Sequence, residues 1–167
     1  MTAPAPVVLI VGGDPRDVET TASALDRRFG SDYRVLTAGS AADGLAELTG
    51  LARSGEQVAL VAADLHLPDG NGVDFLERAA GLHSGVARIL LFDLDDYHTR
   101  IPFRELAALQ RASALGRIDG WMVKLDVGQG GGISFDPNFF IEWPKSHRPH
   151  QIRLEGGDSS SDSYCYP

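Results

Sequence analysis

Leu60-Val-Ala-Ala-Asp64-Leu-His-Leu-Pro68-Asp-Gly-Asn-Gly72 changes character in the middle. Val58–Ala63 is apolar throughout and ends at Asp64, which reads as a strand buried on both faces. Leu65–Gly72 carries Pro68, Gly70 and Gly72 and reads as a loop. Val73–Leu82 then follows at helical spacing. A buried strand, a carboxylate at its C-terminal end, a short loop and a helix form one half of a βαβ unit.

The same alternation extends in both directions. Upstream, Val7–Val11 is a second continuous apolar run, rich in β-branched residues. Gly12-Gly13-Asp14-Pro15 stops it; Asp14 suits a helix N-cap and Pro15 the first helical position. Val18, Ala22 and Leu25 place a helix to about Phe29. Tyr33–Thr37 is a short strand. Ser40-Ala-Ala-Asp43 resembles a capping box with Asp in place of Glu, and opens a helix ending near Ser54. Downstream, Ala87–Phe92 is a strand, Phe103–Leu115 a helix with Gly116 as C-cap, and Trp121–Leu125 a strand. Five strands alternate with four helices. That pattern predicts an α/β fold with a doubly wound, five-stranded parallel sheet in the flavodoxin-like order 2-1-3-4-5.

After Leu125 the pattern fails. Residues 1–127 are therefore expected to form the domain. Residues 128–167 would be a glycine-rich linker (Gly128–Gly132), a short apolar segment (Asn138–Trp143), a strand beginning at Gln151–Leu154, and a disordered serine-rich tail from Gly156.

Composition narrows the function. The chain of 167 residues is 43% hydrophobic and 23% charged, with a formal net charge of −8. A core is available, and an acidic surface without a basic cluster disfavours nucleic acid. One cysteine, Cys165, excludes a disulfide framework and a Cys-x-x-Cys redox pair. The start, Met1–Pro6, has no positively charged n-region, and no apolar run approaches the ~18 residues of a membrane span. A cytoplasmic location is expected.

In open parallel sheets, function collects at the C-terminal strand ends. The first strand ends at Gly12, Gly13 and Asp14, the third at Asp64, the fifth at Lys124 and Leu125. The expected strand order makes these three strands neighbours, with Asp64 between Asp14 and Lys124. A carboxylate flanked by a cation suits phosphoryl acceptance, the lysine neutralising charge on the transferred group.

The Leu60–Gly72 segment resembles the phosphoacceptor segment of response-regulator receiver domains: an apolar strand, an Asp, a Pro four residues on and a Gly eight residues on. Asp64, Pro68 and Gly72 occupy those positions, and Trp121-Met-Val-Lys124 resembles the family's last strand. The resemblance covers Val7 to Leu125. It implies Asp64 as phosphoacceptor, Lys124 as phosphate partner and Trp121 as switch aromatic. It also implies a protein partner, a sensor kinase or a regulated protein, in two-component-type signalling, with association of two copies allowed and no enzymatic activity. Asp32–Thr37, Arg53–Val58 and Arg88-Ile-Leu-Leu91 are similar to receiver modules fused ahead of flavin-dependent, thioredoxin-reductase-like domains. Phe139–Trp143 and Gln151–Leu154 resemble that junction. The alternative is thus a regulatory N-terminal fragment of such an enzyme.

The pattern is broken in places. Receivers hold Mg²⁺ with two acidic residues after the first strand, where this chain has Gly12 and Gly13. Asp14 stands one residue too late. With near-octahedral oxygen ligation required, Asp14 and Asp64 are expected to hold Mg²⁺ weakly at best, and no other cofactor is expected. The family's hydroxyl residue at the end of the fourth strand aligns with Phe92, which would fill that space and interrupt the relay to Trp121. Leu125 replaces a proline. These departures point to a pseudo-receiver with Asp64 phosphorylation impaired or absent.

Other motifs have bland readings. Asp93-Leu-Asp95 imitates the nucleophile strand of haloacid-dehalogenase-like phosphatases but has Tyr97 where a Thr is needed. His147 and His150 flank Pro149 without a placed thiolate or carboxylate partner. Neither glycine cluster has the Gly-x-Gly-x-x-Gly form opening a helix.

Overall fold

The computed structural model of the protein describes residues 4–93 and 103–124. The strands are β1 (Val7–Val11), β2 (Arg34–Ala38), β3 (Val58–Asp64), β4 (His66–Leu67), β5 (Gly70–Asn71), β6 (Ala87–Asp93) and β7 (Gly120–Lys124). The helices are α1 (Pro15–Phe29), α2 (Ala41–Ser54), α3 (Gly72–Leu82) and α4 (Phe103–Ala114). Five strands form one sheet in the order β2-β1-β3-β6-β7, and every pairing in it is parallel. This is the doubly wound order expected from the alternation.

Each apolar run behaves as its composition dictates. All five residues of β1 are buried, because its side chains alternate between two covered faces. Val7, Leu9 and Val11 join Val61, Ala63, Leu90, Leu48, Phe75, Leu76 and Leu109 on the face covered by α2, α3 and α4. Val8 and Ile10 join Leu60, Ala62, Ile89 and Leu91 on the face that carries α1, through Val18, Leu25 and Phe29.

The helix ends follow local chemistry. The Asp14 carboxylate accepts from the Arg16 N–H at 2.8 Å, with Pro15 opening α1. Ser40 Oγ accepts from the Asp43 N–H at 3.1 Å, and Asn71 Oδ1 from the Val73 N–H at 2.8 Å. Gly116, at φ 67°, closes the turn after α4.

Several elements differ from the expectation, most of them by a residue at one end. Strand β2 begins at Arg34 rather than Tyr33, because the Tyr33 N–H bonds the Phe29 carbonyl and belongs to the turn leaving α1. The fourth strand, β6, runs on to Asp93. The stretch Leu65–Gly72 is not a plain loop: His66 pairs with Asn71 and Leu67 with Gly70 in a small antiparallel hairpin turning at Pro68-Asp69. Two-residue strands are too short to show periodicity, and the buried Leu67 anchors this one. The expectations for Leu125, Gly128–Gly132, Asn138–Trp143, His147, His150, Gln151–Leu154 and Cys165 lie outside the described residues. No helix among the described residues is long and apolar enough to cross a membrane.

At the N-terminal ends of β6 and β7 sits an ionic clamp. Arg88 Nε and Nη2 donate to Asp119 Oδ2 and Oδ1 at 2.9 and 3.0 Å. The Arg88 N–H also reaches Asp119 Oδ2, and Nη1 reaches the Arg117 carbonyl. Next to it Arg117 bonds Asp74 and Glu77, tying the approach to β7 onto α3.

Candidate functional site at the C-terminal strand ends

Asp64 ends β3 and is half-buried. Its backbone is fixed on two sides. In the sheet it pairs with Leu91, and the next N–H, of Leu65, bonds the Leu91 carbonyl at 2.9 Å. From the helix side, the Gly72 N–H bonds the Leu65 carbonyl at 2.9 Å. A Cβ at Gly72 would stand 2.1 Å from the Asp64 carbonyl oxygen and 2.8 Å from Leu90 Cδ1. Glycine eight residues after the carboxylate is therefore a requirement of close approach: the start of α3 rests directly on the Asp64 peptide.

Gly12 and Gly13 form the facing wall. A Cβ at Gly12 would stand 2.6 Å from Asp64 Oδ2 and 2.7 Å from Val18 Cγ2, so one Asp64 oxygen lies where a side chain at position 12 would begin. A Cβ at Gly13 would meet the Pro68 ring at 3.1 Å. The two positions are not equivalent: the first is taken by the carboxylate itself, the second is only tight.

The other anticipated residues fall as follows. Asp14 is exposed and its carboxylate caps α1. Trp121 is half-buried and packs against the cluster holding Leu90, Leu109 and Ile118. Phe92 is paired with Val123, and Lys124 with Asp93; the side chains of Phe92 and Lys124 lie outside what the structure describes. The register brings two features that the spacing of motifs does not show. Since Asp64 is level with Leu91 and Leu91 with Met122, Lys124 stands two residues further along the sheet than Asp64. Strand alternation puts positions 64, 93 and 124 on one face. Asp93 is thus the direct neighbour of Lys124 in the sheet. Among the described residues, no group of three or more His, Cys, Asp or Glu is placed to hold a metal ion.

Asp69 is the residue that sequence reasoning missed. From the tip of the hairpin its two carboxylate oxygens accept from the Ala41 N–H at 2.8 Å and the Ala42 N–H at 2.9 Å. With Ser40 taking the Asp43 N–H, all three N–H groups are capped. The helix dipole favours the negative charge there. The partners lie 27 and 28 residues away, so no local pattern reveals them. The backbone N–H groups of Ala42 and Ala41 hold the Asp69 carboxyl below the usual carboxylate range. A depressed folded-state pKa adds stability above the unfolded value of ~3.9 and loses it as pH falls through the depressed value. Asp69→Ala is expected to lower the urea midpoint at neutral pH, and the gap from the parent chain should close on acidification below about pH 4. A gap that stays constant down to pH 2 would show that the carboxylate charge contributes nothing.

The response regulator receiver domain protein (CheY-like) of Methanospirillum hungatei JF-1 is 23% identical, with a TM-score of 0.57, covering 84% of this chain and 91% of that one. The fold is receiver-like. Chemotaxis response regulator CheY4 of Vibrio cholerae, at 17% identity and a TM-score of 0.55, covers 86% of this chain and 99% of its own. A protein of Rhodopirellula baltica described as adenylate cyclase, at 15% identity and 0.56, covers 86% and 87%. No curated protein matches. A family model described as 56kDa selenium binding protein (SBP56) matches residues 113–165, from the end of α4 through β7 into the remaining chain. In the receiver-like fold, Asp64 stands at the central strand end, Gly12 and Gly13 at the end of β1 and Lys124 at the end of β7.

Proposed function

We propose that this chain is an atypical receiver module that signals through protein–protein contact, with phosphorylation of Asp64 impaired or absent. The observation that carries the reading is the wall opposite Asp64. Glycines stand at both positions from which a receiver presents its acidic pair, and Asp64 Oδ2 lies against the first of them. Asp14, the one nearby carboxylate on that loop, is engaged at the α1 terminus.

The consequence for chemistry is direct. Phosphoryl transfer to a carboxylate depends on charge neutralisation of the incoming group, which a divalent ion supplies. Asp64 and Asp14 offer Mg²⁺ two carboxylates where an active receiver offers three, and one of the two is a helix cap. In this reading Lys124 balances Asp64 without a metal, Phe92 fills the space of the relay hydroxyl, and Trp121 serves as packing rather than as a switch. The partner is a regulated protein or a sensor kinase. The alternative, a regulatory N-terminal fragment of a flavin-dependent thioredoxin-reductase-like enzyme, would be favoured by a flavin-loaded partner copurifying with the chain.

The test is intact mass after incubation with acetyl phosphate and millimolar Mg²⁺. No more than a trace of a phosphorylated species is expected. Near-stoichiometric phosphorylation, abolished by Asp64→Asn, would show a competent pocket. Titration calorimetry separates the two glycines. Gly13→Asp is expected to raise Mg²⁺ affinity, because only the Pro68 ring must give. Gly12→Asp is expected to lower stability, because Asp64 and Val18 must both move. Equal Mg²⁺ binding by the parent chain and Gly13→Asp would remove the metal argument.

A further inference from the structure

The hairpin between Asp64 and α3 is held at both ends by groups far apart in the chain. At its base, Leu67 is buried in the core, and the Gly72 N–H bonds the Leu65 carbonyl. At its tip, the Asp69 carboxylate takes the N–H groups of Ala41 and Ala42 at the start of α2. The ladder between β4 and β5 is only His66 with Asn71 and Leu67 with Gly70. A two-stranded ribbon of that size is not stable by itself. Its position is therefore set by the anchors rather than by its own pairing.

Between the anchors stands Pro68. Its ring stiffens the turn, so Pro68 follows wherever Asp69 is fixed. A Cβ at Gly13 would stand 3.1 Å from both Cγ and Cδ of Pro68, closer than the roughly 3.5–4.0 Å of an unstrained carbon contact. The neighbouring glycine is limited by a different wall. A Cβ at Gly12 would meet Asp64 and Val18, which belong to β3 and α1. The hairpin thus restricts position 13 and not position 12. We infer that the hairpin is a strap: Asp69 latches it to α2, and the latch holds Pro68 against the β1–α1 turn and narrows the Asp64 pocket on the Gly13 side.

Asp69 is in this sense a positioning residue: its bonds go to α2, and its effect on the pocket runs through Pro68. Release is a matter of charge. Asp69 is exposed, and its hold is two charge-assisted hydrogen bonds at a helix N-terminus. Solvent-exposed bonds of this kind open locally far more readily than the core beneath them. A group that takes the Ala41 and Ala42 N–H groups from Asp69 would free the tip and widen the pocket without touching Asp64. The strap rests on packing alone. Its link to metal binding rests on the reading of Asp64 as an impaired receiver pocket.

A double-mutant cycle on the full chain, read by urea unfolding, tests the strap. Gly13→Ala is expected to lower the midpoint, because a hairpin held at both ends resists the few tenths of an ångström that Pro68 must give. In the Asp69→Ala background the same substitution should cost clearly less. Gly81→Ala, with nothing within 4 Å of its Cβ, should act equally in both backgrounds. Strict additivity of the Gly13 and Asp69 changes would overturn the strap. Calorimetry reads the pocket. Adding Asp69→Ala to Gly13→Asp is expected to raise Mg²⁺ affinity about threefold or more, the lower end of coupling within one network. Loss of a negative charge alone predicts weaker cation binding, so a rise identifies opening, and an unchanged or lowered affinity would overturn the role at the pocket. Coupling in unfolding supports the strap whether or not acetyl phosphate modifies the parent chain, so the two readings fail separately.

Discussion

Gly72→Ala is expected to destabilise the protein by about 3 kcal/mol or more, beyond the usual range for an overpacked core. The new Cβ would stand 2.1 Å from the Asp64 carbonyl oxygen, which is main chain held in the sheet, so no rotamer change relieves the clash. Either α3 lifts off Leu90 and Ala63 or the Asp64 peptide is pushed out of register with Leu91. Both disturb the site as well as the core. Thermal and urea unfolding would measure this, with Gly81→Ala as a control on the same helix. Nothing lies within 4 Å of a Cβ at Gly81, and there alanine should stabilise by roughly 0.5–1 kcal/mol through helix propensity alone. Similar midpoints for the two variants would show that the α3 terminus is loosely held.

Asp119→Ala carries the second large effect. It would strip Arg88 of three of its four hydrogen bonds to side chain and backbone oxygens near β7. The Arg88 side chain is only 16% exposed, so the guanidinium is left partly desolvated without its counter-charge. Breaking such a pair costs about 3 kcal/mol, seen as a lowered urea midpoint. The pair as a whole is worth far less than that loss, because its desolvation offsets much of the attraction. Replacing both partners, Arg88→Met with Asp119→Leu, should therefore recover a good part of it. A double variant as unstable as the sum of the singles would show that the two residues act independently.

What the sequence discloses depends on how far an interaction reaches along the chain. The all-apolar runs Val7–Val11 and Val58–Ala63 announce a parallel sheet because double burial leaves no alternation. Asp14, Ser40 and Asn71 act on groups two or three residues away, and the first two were legible as caps; Asn71 was hidden inside what reads as a loop. Asp69 on Ala41 and Ala42, and Arg88 on Asp119, join residues 27 to 31 positions apart. No spacing rule identifies such partners. The same holds within the candidate site. The order of strand ends placed Asp64 among its neighbours, but the closeness of its carboxylate to the place a Cβ at Gly12 would take and the alignment of Asp93 with Lys124 come from register, which an all-apolar run does not specify.

The position of Asp64 Oδ2, 2.6 Å from where a Cβ at Gly12 would stand, also limits which substitutions the pair accepts. A single codon change that puts a carboxylate at position 12 meets an occupied site and disturbs the chain before it can bind a metal. The change at 64 that would make room instead removes the carboxylate from the end of the central strand. Each first step is penalised on its own, so positions 12 and 64 constrain each other: neither changes alone without a clash or the loss of the carboxylate.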